Sequence, residues 1–177
     1  MKLHPTKLQG VYLIVVAPLA DARGNFARTF CVETLRRAGA AFGPVRQMSI
    51  SVNDRKATLR GLHWQAGPRP EAKIVRPVRG RIFDVALDLR PASPSFKQWF
   101  GVELNAAHQN ALLIPQGCAH GFVTLQDDCA IEYVMDADFD PALARGARWD
   151  DPAFAIAWPL LPAMIGERDR VWPDFVG

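Results

Sequence analysis

Arginine, histidine and lysine fall close together in the stretch Leu59-Arg60-Gly61-Leu62-His63-Trp64-Gln65, followed by Ala72-Lys73. An arginine suits a phosphate, and a lysine stabilises an oxyanion. Arg60 and His63 are three residues apart, so a regular strand sends them to opposite faces. A bend or bulge at Gly61 brings them together. Without that bend the stretch is a charged surface strand with one buried histidine, and spacing alone leaves both readings open. A second stretch, Ile114-Pro115-Gln116-Gly117-Cys118-Ala119-His120-Gly121-Phe122, sets a proline–glycine turn ahead of a histidine on a strand.

The P-x-G-x-x-H spacing of Pro115, Gly117 and His120 resembles the second motif of cupins, whose histidine points into a barrel. In metal-binding cupins that histidine joins an H-x-H pair and a glutamate from the first motif. Here His63-Trp64-Gln65 puts Gln65 where a second ligand is required, and only His63 and His120 lie in motif contexts. A stable metal centre wants three or more ligands. The expectation is a protein with no metal and no cofactor.

The elements that must position these residues read mostly as strands. Arg81 to Arg90 is the clearest, with Phe83, Val85, Leu87 and Leu89 on one face and Ile82, Asp84, Ala86 and Asp88 on the other. Two carboxylates on the second face point to a polar cavity there. Similar runs occur at Ala72 to Val78, Phe100 to Leu104, Ala111 to Ile114, Gly121 to Leu125 and Ala130 to Met135. Gly80, Pro91 to Pro94, Asn105, Pro115 and Gly117 separate them as turns. Val32 to Ala38 reads as a short helix. Many short strands at this spacing predict an all-β fold, with a double-sheet jelly roll as one way to manage the edges. The C-terminal third, rich in Trp and Pro, predicts irregular structure packed across the barrel.

The 177 residues are one domain's worth of chain, 49% hydrophobic and 22% charged, which is ordinary globular usage. A single domain spanning 1–177 is expected. The net charge of +3 is too small and scattered for nucleic acid, yet it helps attract an anionic small molecule. The longest apolar stretch, Val11 to Ala20, is broken by Pro18 and is too short for a membrane span. The N-terminus lacks a secretory layout. Cys31, Cys118 and Cys129 show no metal spacing, and reduced thiols in a cytoplasmic protein are the simplest account.

Arg60-Gly61-Leu62-His63, Ala72-Lys73, Phe83-Asp84-Val85, Asp88-Leu89-Arg90, Ser93-Pro94-Ser95-Phe96, Ile114-Pro115, Ala119-His120-Gly121-Phe122 and Trp149-Asp150-Asp151-Pro152 recur in one order. That order resembles the dTDP-4-dehydrorhamnose 3,5-epimerase family from about Val11 to Pro173. The resemblance implies a cupin-type double-stranded β-helix with a few short helices, and a nucleotide-linked 4-keto-6-deoxyhexose as substrate. The ketone acidifies C3 and C5. Inverting them needs a base on one face, a donor on the other, and a stabilised enolate between.

By the same resemblance His63 is the base, Asp169 the carboxylate that orients it, Tyr133 the proton donor and Lys73 the cation beside the enolate oxygen. Asp84 and His120 form a second His–Asp pair. Arg23, Arg60 and Arg168 bind the nucleotide and its diphosphate. Phe26 follows Arg23-Gly24, Gln47 and Ser49 lie beside base and ribose, and Phe139 stacks on the base. The family is homodimeric, with an N-terminal strand exchanged between subunits, which Val11 to Val16 would match here. Taken alone, Tyr133 also reads as a core tyrosine, Asp169 as a partner of Arg168 and Arg170, and Phe26 as a core anchor.

The sequence departs from the family pattern at Arg28, Ser49, Phe139 and Ala144, all in the part that reads the nucleotide. The expectation is 3,5-epimerisation. Open beside it stand a mono-epimerase, an epimerase for another nucleotide sugar, and a non-catalytic sugar-nucleotide-binding cupin.

Overall fold

The computed structural model describes residues 1–176. The chain runs through β1 (Lys2–Pro5), β2 (Tyr12–Val15), β3 (Leu19–Asp21), β4 (Gly24–Phe26), α1 (Val32–Arg37), β5 (Gln47–Asn53), β6 (Thr58–Gln65), β7 (Lys73–Arg79), β8 (Arg81–Asp88) and β9 (Trp99–Asn105). A single 3-10 turn follows, then β10 (Ala111–Ile114), β11 (Cys118–Thr124), β12 (Cys129–Met135), β13 (Ala144–Gly146), β14 (Met164–Ile165) and α2 (Glu167–Arg170).

Two sheets result, in the orders β1-β2-β10-β7-β12-β5 and β13-β6-β11-β8-β9; β14 joins β6 in parallel, and β3 pairs only with β4. This is the jelly roll expected. Both sheets are covered on both faces over much of their width, which explains central strands such as β10 that are apolar throughout. Val75, Leu112 and Ile131 of the first sheet meet Ile82, Ala86, Leu104 and Phe122 of the second between the layers. Behind the first sheet, Ile14, Ile74, Leu113 and Val134 pack on Leu35 of α1. Behind the second, Leu62, Val85, Leu87 and Ala119 pack on Phe154, Ile156, Trp158 and Phe175, so the Trp- and Pro-rich C-terminal third is the cover of that sheet. Each fully buried Leu, Ile or Phe contributes about 1.5–3 kcal/mol.

The two faces of β8 fall as the alternation predicts, but its carboxylates diverge. Asp84 points toward His120. Asp88 closes the turn that ends the strand, accepting hydrogen bonds from Arg90, Ser93 and Ser95, and so lines no cavity. β2 lies between β1 and β10 of its own chain.

One strand inverts the usual pattern. On β5 the apolar Met48, Ile50 and Val52 are exposed, while Gln47, Ser49 and Ser51 line the interior. The interior at that edge is an open polar cavity rather than a core.

Candidate active site

A cavity of about 550 Å³ opens between the two sheets. Its first wall is built by β6, where Gly61 sits at φ +118°, a conformation that L side chains rarely adopt. Opposite, β11 pairs His120 with His63 and Phe122 with Arg60, so three steps on β6 face two on β11. A Cβ on Gly61 would lie 2.5 Å from Gly121 Cα and 2.7 Å from the His120 carbonyl oxygen. The bulge therefore needs glycine, and it turns Arg60 and His63 to the same cavity.

The short helix α2 presents its acid to the back of β6. Asp169 Oδ1 lies 2.6 Å from His63 Nε2, and its Oδ2 accepts the Gly61 N–H at 3.1 Å. Asp169 thus turns inward, away from its neighbours Arg168 and Arg170. Burial works to raise its carboxyl, but the hydrogen bond and charge of His63 and the Gly61 N–H outweigh this, and the group lies below its ordinary value. With Asp169 ionised, the His63 nitrogen that faces it carries the proton, and Nδ1 is left as the basic atom. The His63 side chain is 43% exposed and lines the cavity.

A second pair lies deeper. His120 Nε2 is 2.7 Å from Asp84 Oδ1, with both side chains nearly inaccessible. The His120 ring meets Tyr133 edge-on, with centroids 5.8 Å apart. Tyr133 stands on β12, opposite Ser49 and Val75, and enters the cavity from the first sheet. Burial first, and the Asp84 charge second, push its hydroxyl well above the ordinary tyrosine value, with Arg60 opposing. It is a neutral O–H donor. On the same inner face of that sheet, Lys73 projects from β7 and pairs with Glu71 at 2.7 Å.

The outer end of the cavity is polar and cationic. Arg60 Nε donates to Asn53 Oδ1 at 2.8 Å. Arg168 lines the cavity and stacks over Trp172 at 5.0 Å. Gln47 and Ser49 face inward, and Gln47 Oε1 accepts the Phe139 N–H at 2.8 Å, which fixes the half-exposed Phe139 ring at the rim. Gln65 is buried and fixes the same loop: its amide donates to the carbonyls of Arg69 and Asp138, and its oxygen accepts the Asp140 N–H. Among the described residues no three His, Cys, Asp or Glu side chains converge as a metal cluster.

The structure brings His63, Lys73, His120, Tyr133, Asp169, Arg60, Arg168, Gln47, Ser49 and Phe139 to one cavity, with Asp84 behind His120. Arg23 and Phe26 lie elsewhere, on the exposed β3–β4 hairpin, where Arg23 pairs with Asp21 at 2.6 Å. Two charged lining residues escaped the sequence reading, Glu71 and Arg145, along with Ser51, Trp64 and Met135. Glu71 was visible in principle, because residues two apart at the start of a strand share a face. Arg145 sits next to Ala144 and donates to the Ala142 and Ala144 carbonyls; nothing in its sequence neighbourhood marks it.

Residues 5–176 match the family model described as dTDP-4-dehydrorhamnose 3,5-epimerase. A relative of that name from Methanothermobacter thermautotrophicus is 39% identical, over 94% of this chain and 90% of its own length. A dTDP-4-dehydrorhamnose 3-epimerase from Streptomyces niveus is 36% identical, over 96% of this chain and 82% of its own. The crystal structure of the dTDP-4-dehydrorhamnose 3,5-epimerase from Bacillus anthracis, with TDP and pyrophosphate bound, superposes with a TM-score of 0.93 at 33% identity, covering 98% of this chain and 99% of that one. Fold, near-complete coverage and the ordered motifs agree, and the chain belongs to the dTDP-4-dehydrorhamnose 3,5-epimerase family of isomerases.

Proposed function

We propose that the protein inverts C3 and C5 of dTDP-4-dehydro-6-deoxyglucose, giving dTDP-4-dehydrorhamnose, by proton transfer from and to carbon. The observation that carries the reading is the His63–Asp169 pair on one wall of the cavity, with Tyr133 and Lys73 entering from the other sheet. His63 Nδ1 takes the proton from the carbon beside the ketone. The electron pair moves onto the C4 oxygen, where the Lys73 ammonium balances the enolate charge. Tyr133 returns a proton to the opposite face, and solvent resets both groups before the second carbon is handled.

Asp169 stabilises the imidazolium and keeps its tautomer, as a buried acid does for a catalytic histidine elsewhere. Arg60 and Arg168 take the diphosphate, Phe139 stacks on the base, and Gln47 and Ser49 serve base and ribose. His120 with Asp84 forms the polar floor beside Tyr133.

The same reading makes the working unit a homodimer. The exposed apolar row Met48, Ile50 and Val52 on edge strand β5 supports a second copy as its cover. The protruding hairpin supports delivery of Arg23 and Phe26 to the partner's cavity. Three free thiols fit the reducing cytoplasm.

Incubating the protein with the 4-keto sugar nucleotide in heavy water tests the reading by proton NMR. Deuterium entering at both C3 and C5 is expected. Entry at C3 alone marks a mono-epimerase, the activity that the Streptomyces niveus relative is named for. No entry at either carbon overturns the enzymatic reading in favour of a binding cupin.

A further inference from the structure

Glu71 stands out among the groups facing the cavity. The cations there are Arg60, Lys73, Arg145 and Arg168, and the carboxylates are Glu71 and Asp169. Asp169 is committed to His63 and Gly61. A further carboxylate in a pocket for an anionic diphosphate opposes binding by simple Coulomb repulsion, unless it is matched locally. Glu71 is matched, by Lys73 at 2.7 Å, with side chains only 6% and 9% exposed.

The carboxylate is also placed rigidly. The next residue, Ala72, donates its N–H to Asp136 Oδ1 at 2.7 Å and accepts the Asp136 N–H at 3.2 Å. Asp136 in turn holds Gly43 and Gln116. Glu71 is therefore anchored at the entry to β7, while Lys73 carries a long flexible side chain two residues on.

We propose that Glu71 is the positioning residue for Lys73. It takes one of the three ammonium N–H donors, keeps a buried charge in place, and so aims the remaining donors at the oxygen where the enolate charge develops. A lysine left to itself loses rotamer freedom only when the enolate forms; one already tethered does not. Glu71 acts on the chemical step through Lys73 and contributes little to holding the nucleotide. The proposal rests on the enolate-stabilising role of Lys73.

A double-mutant cycle tests both and separates them. Wild type, Glu71→Gln, Lys73→Met and the double variant are assayed for kcat, KM and deuterium entry, and thymidine diphosphate affinity is measured by calorimetry. Lys73→Met should lose about 100- to 1,000-fold in kcat, the usual cost of an oxyanion donor. Glu71→Gln should lose about 10- to 100-fold in kcat, with KM and nucleotide affinity within about 3-fold, a split that a general loss of folding does not produce. The double variant should be no slower than Lys73→Met, because residues acting through one another are not additive.

Near-native kcat in Lys73→Met removes the role of Lys73 and the proposal with it. A slow Lys73→Met beside an unimpaired Glu71→Gln, or losses that multiply in the double variant, overturns the Glu71 proposal alone. Glu71→Asp guards against misfolding of the amide: it keeps the charge and should exceed Glu71→Gln in kcat, and equal or lower activity counts against the tether.

Discussion

Replacing Asp169 by asparagine removes one charge and almost no volume, at a residue touching both His63 and the Gly61 N–H. The asparagine has one acceptor where the carboxylate had two. If its oxygen faces His63, its NH2 confronts the Gly61 N–H, donor against donor. If it turns the other way, its NH2 donates to Nε2, the ring proton moves to Nδ1, and the base has no free lone pair toward the cavity. The charge also matters once His63 has taken a proton. Unit charges about 4 Å apart interact by about 4 kcal/mol at an effective dielectric of 20.

Because the His63 side chain is 43% exposed, solvent screening halves this to about 2 kcal/mol, or about 30-fold in rate. The tautomer fault adds about another tenfold, so Asp169→Asn should lose roughly 100- to 1,000-fold in kcat. KM should change little, since Asp169 binds no part of the substrate in this mechanism. The assay is deuterium entry at C3 and C5 under saturating substrate, followed by NMR. Entry within a few-fold of the wild-type rate would refute the orienting role of Asp169 and the choice of Nδ1 as the base.

Tyr133→Phe should abolish net inversion while leaving some exchange, since proton abstraction precedes proton return. In the wild type, burial and the Asp84 charge raise the hydroxyl, so the donor form persists below that raised value. The ratio of inversion to exchange, followed by NMR, should stay flat up to about pH 10, the ordinary tyrosine value. Asp88→Asn breaks a buried pair with Arg90 and two serine contacts, and should cost about 3 kcal/mol by urea unfolding at neutral pH. Burial raises the Asp88 carboxyl, but the hydrogen bonds from Arg90, Ser93 and Ser95 prevail and depress it. Its stabilisation is then present above the ordinary carboxyl value of about 3.9 and fades as pH falls below it, so the gap between variant and wild type should narrow in acid.

How far the sequence discloses these arrangements depends on the range over which each is set. The faces of β8 follow from alternation, because both are determined within eight residues. Alternation says nothing of depth, however, and so Asp84 beside His120 and Asp88 in a turn read alike. β5 hides because its apolar residues face outward and its polar ones inward, the reverse of the rule by which strands are recognised. α2 is a single turn, too short for a helical period to register. The approach of Asp169 to His63 spans 106 positions, and no local pattern contains it; only the ordered family motifs pointed there. Gly61 was legible as a place where a strand can bend, because no side chain obstructs that conformation, and the bend was needed to reconcile Arg60 with His63.

That one surplus residue on β6 also acts as a gauge. Measured along the facing strand, it leaves the Arg60 and His63 backbone positions two steps apart, about 7 Å at ordinary strand rise, so the residues proposed to grip an anion and to move a proton start from a set span on one strand. Straightening β6 into a regular ladder with Gly61 still in place would rotate one of the two out of the barrel. The spacing between the points from which the two side chains start is thereby written into the phase of a β-strand.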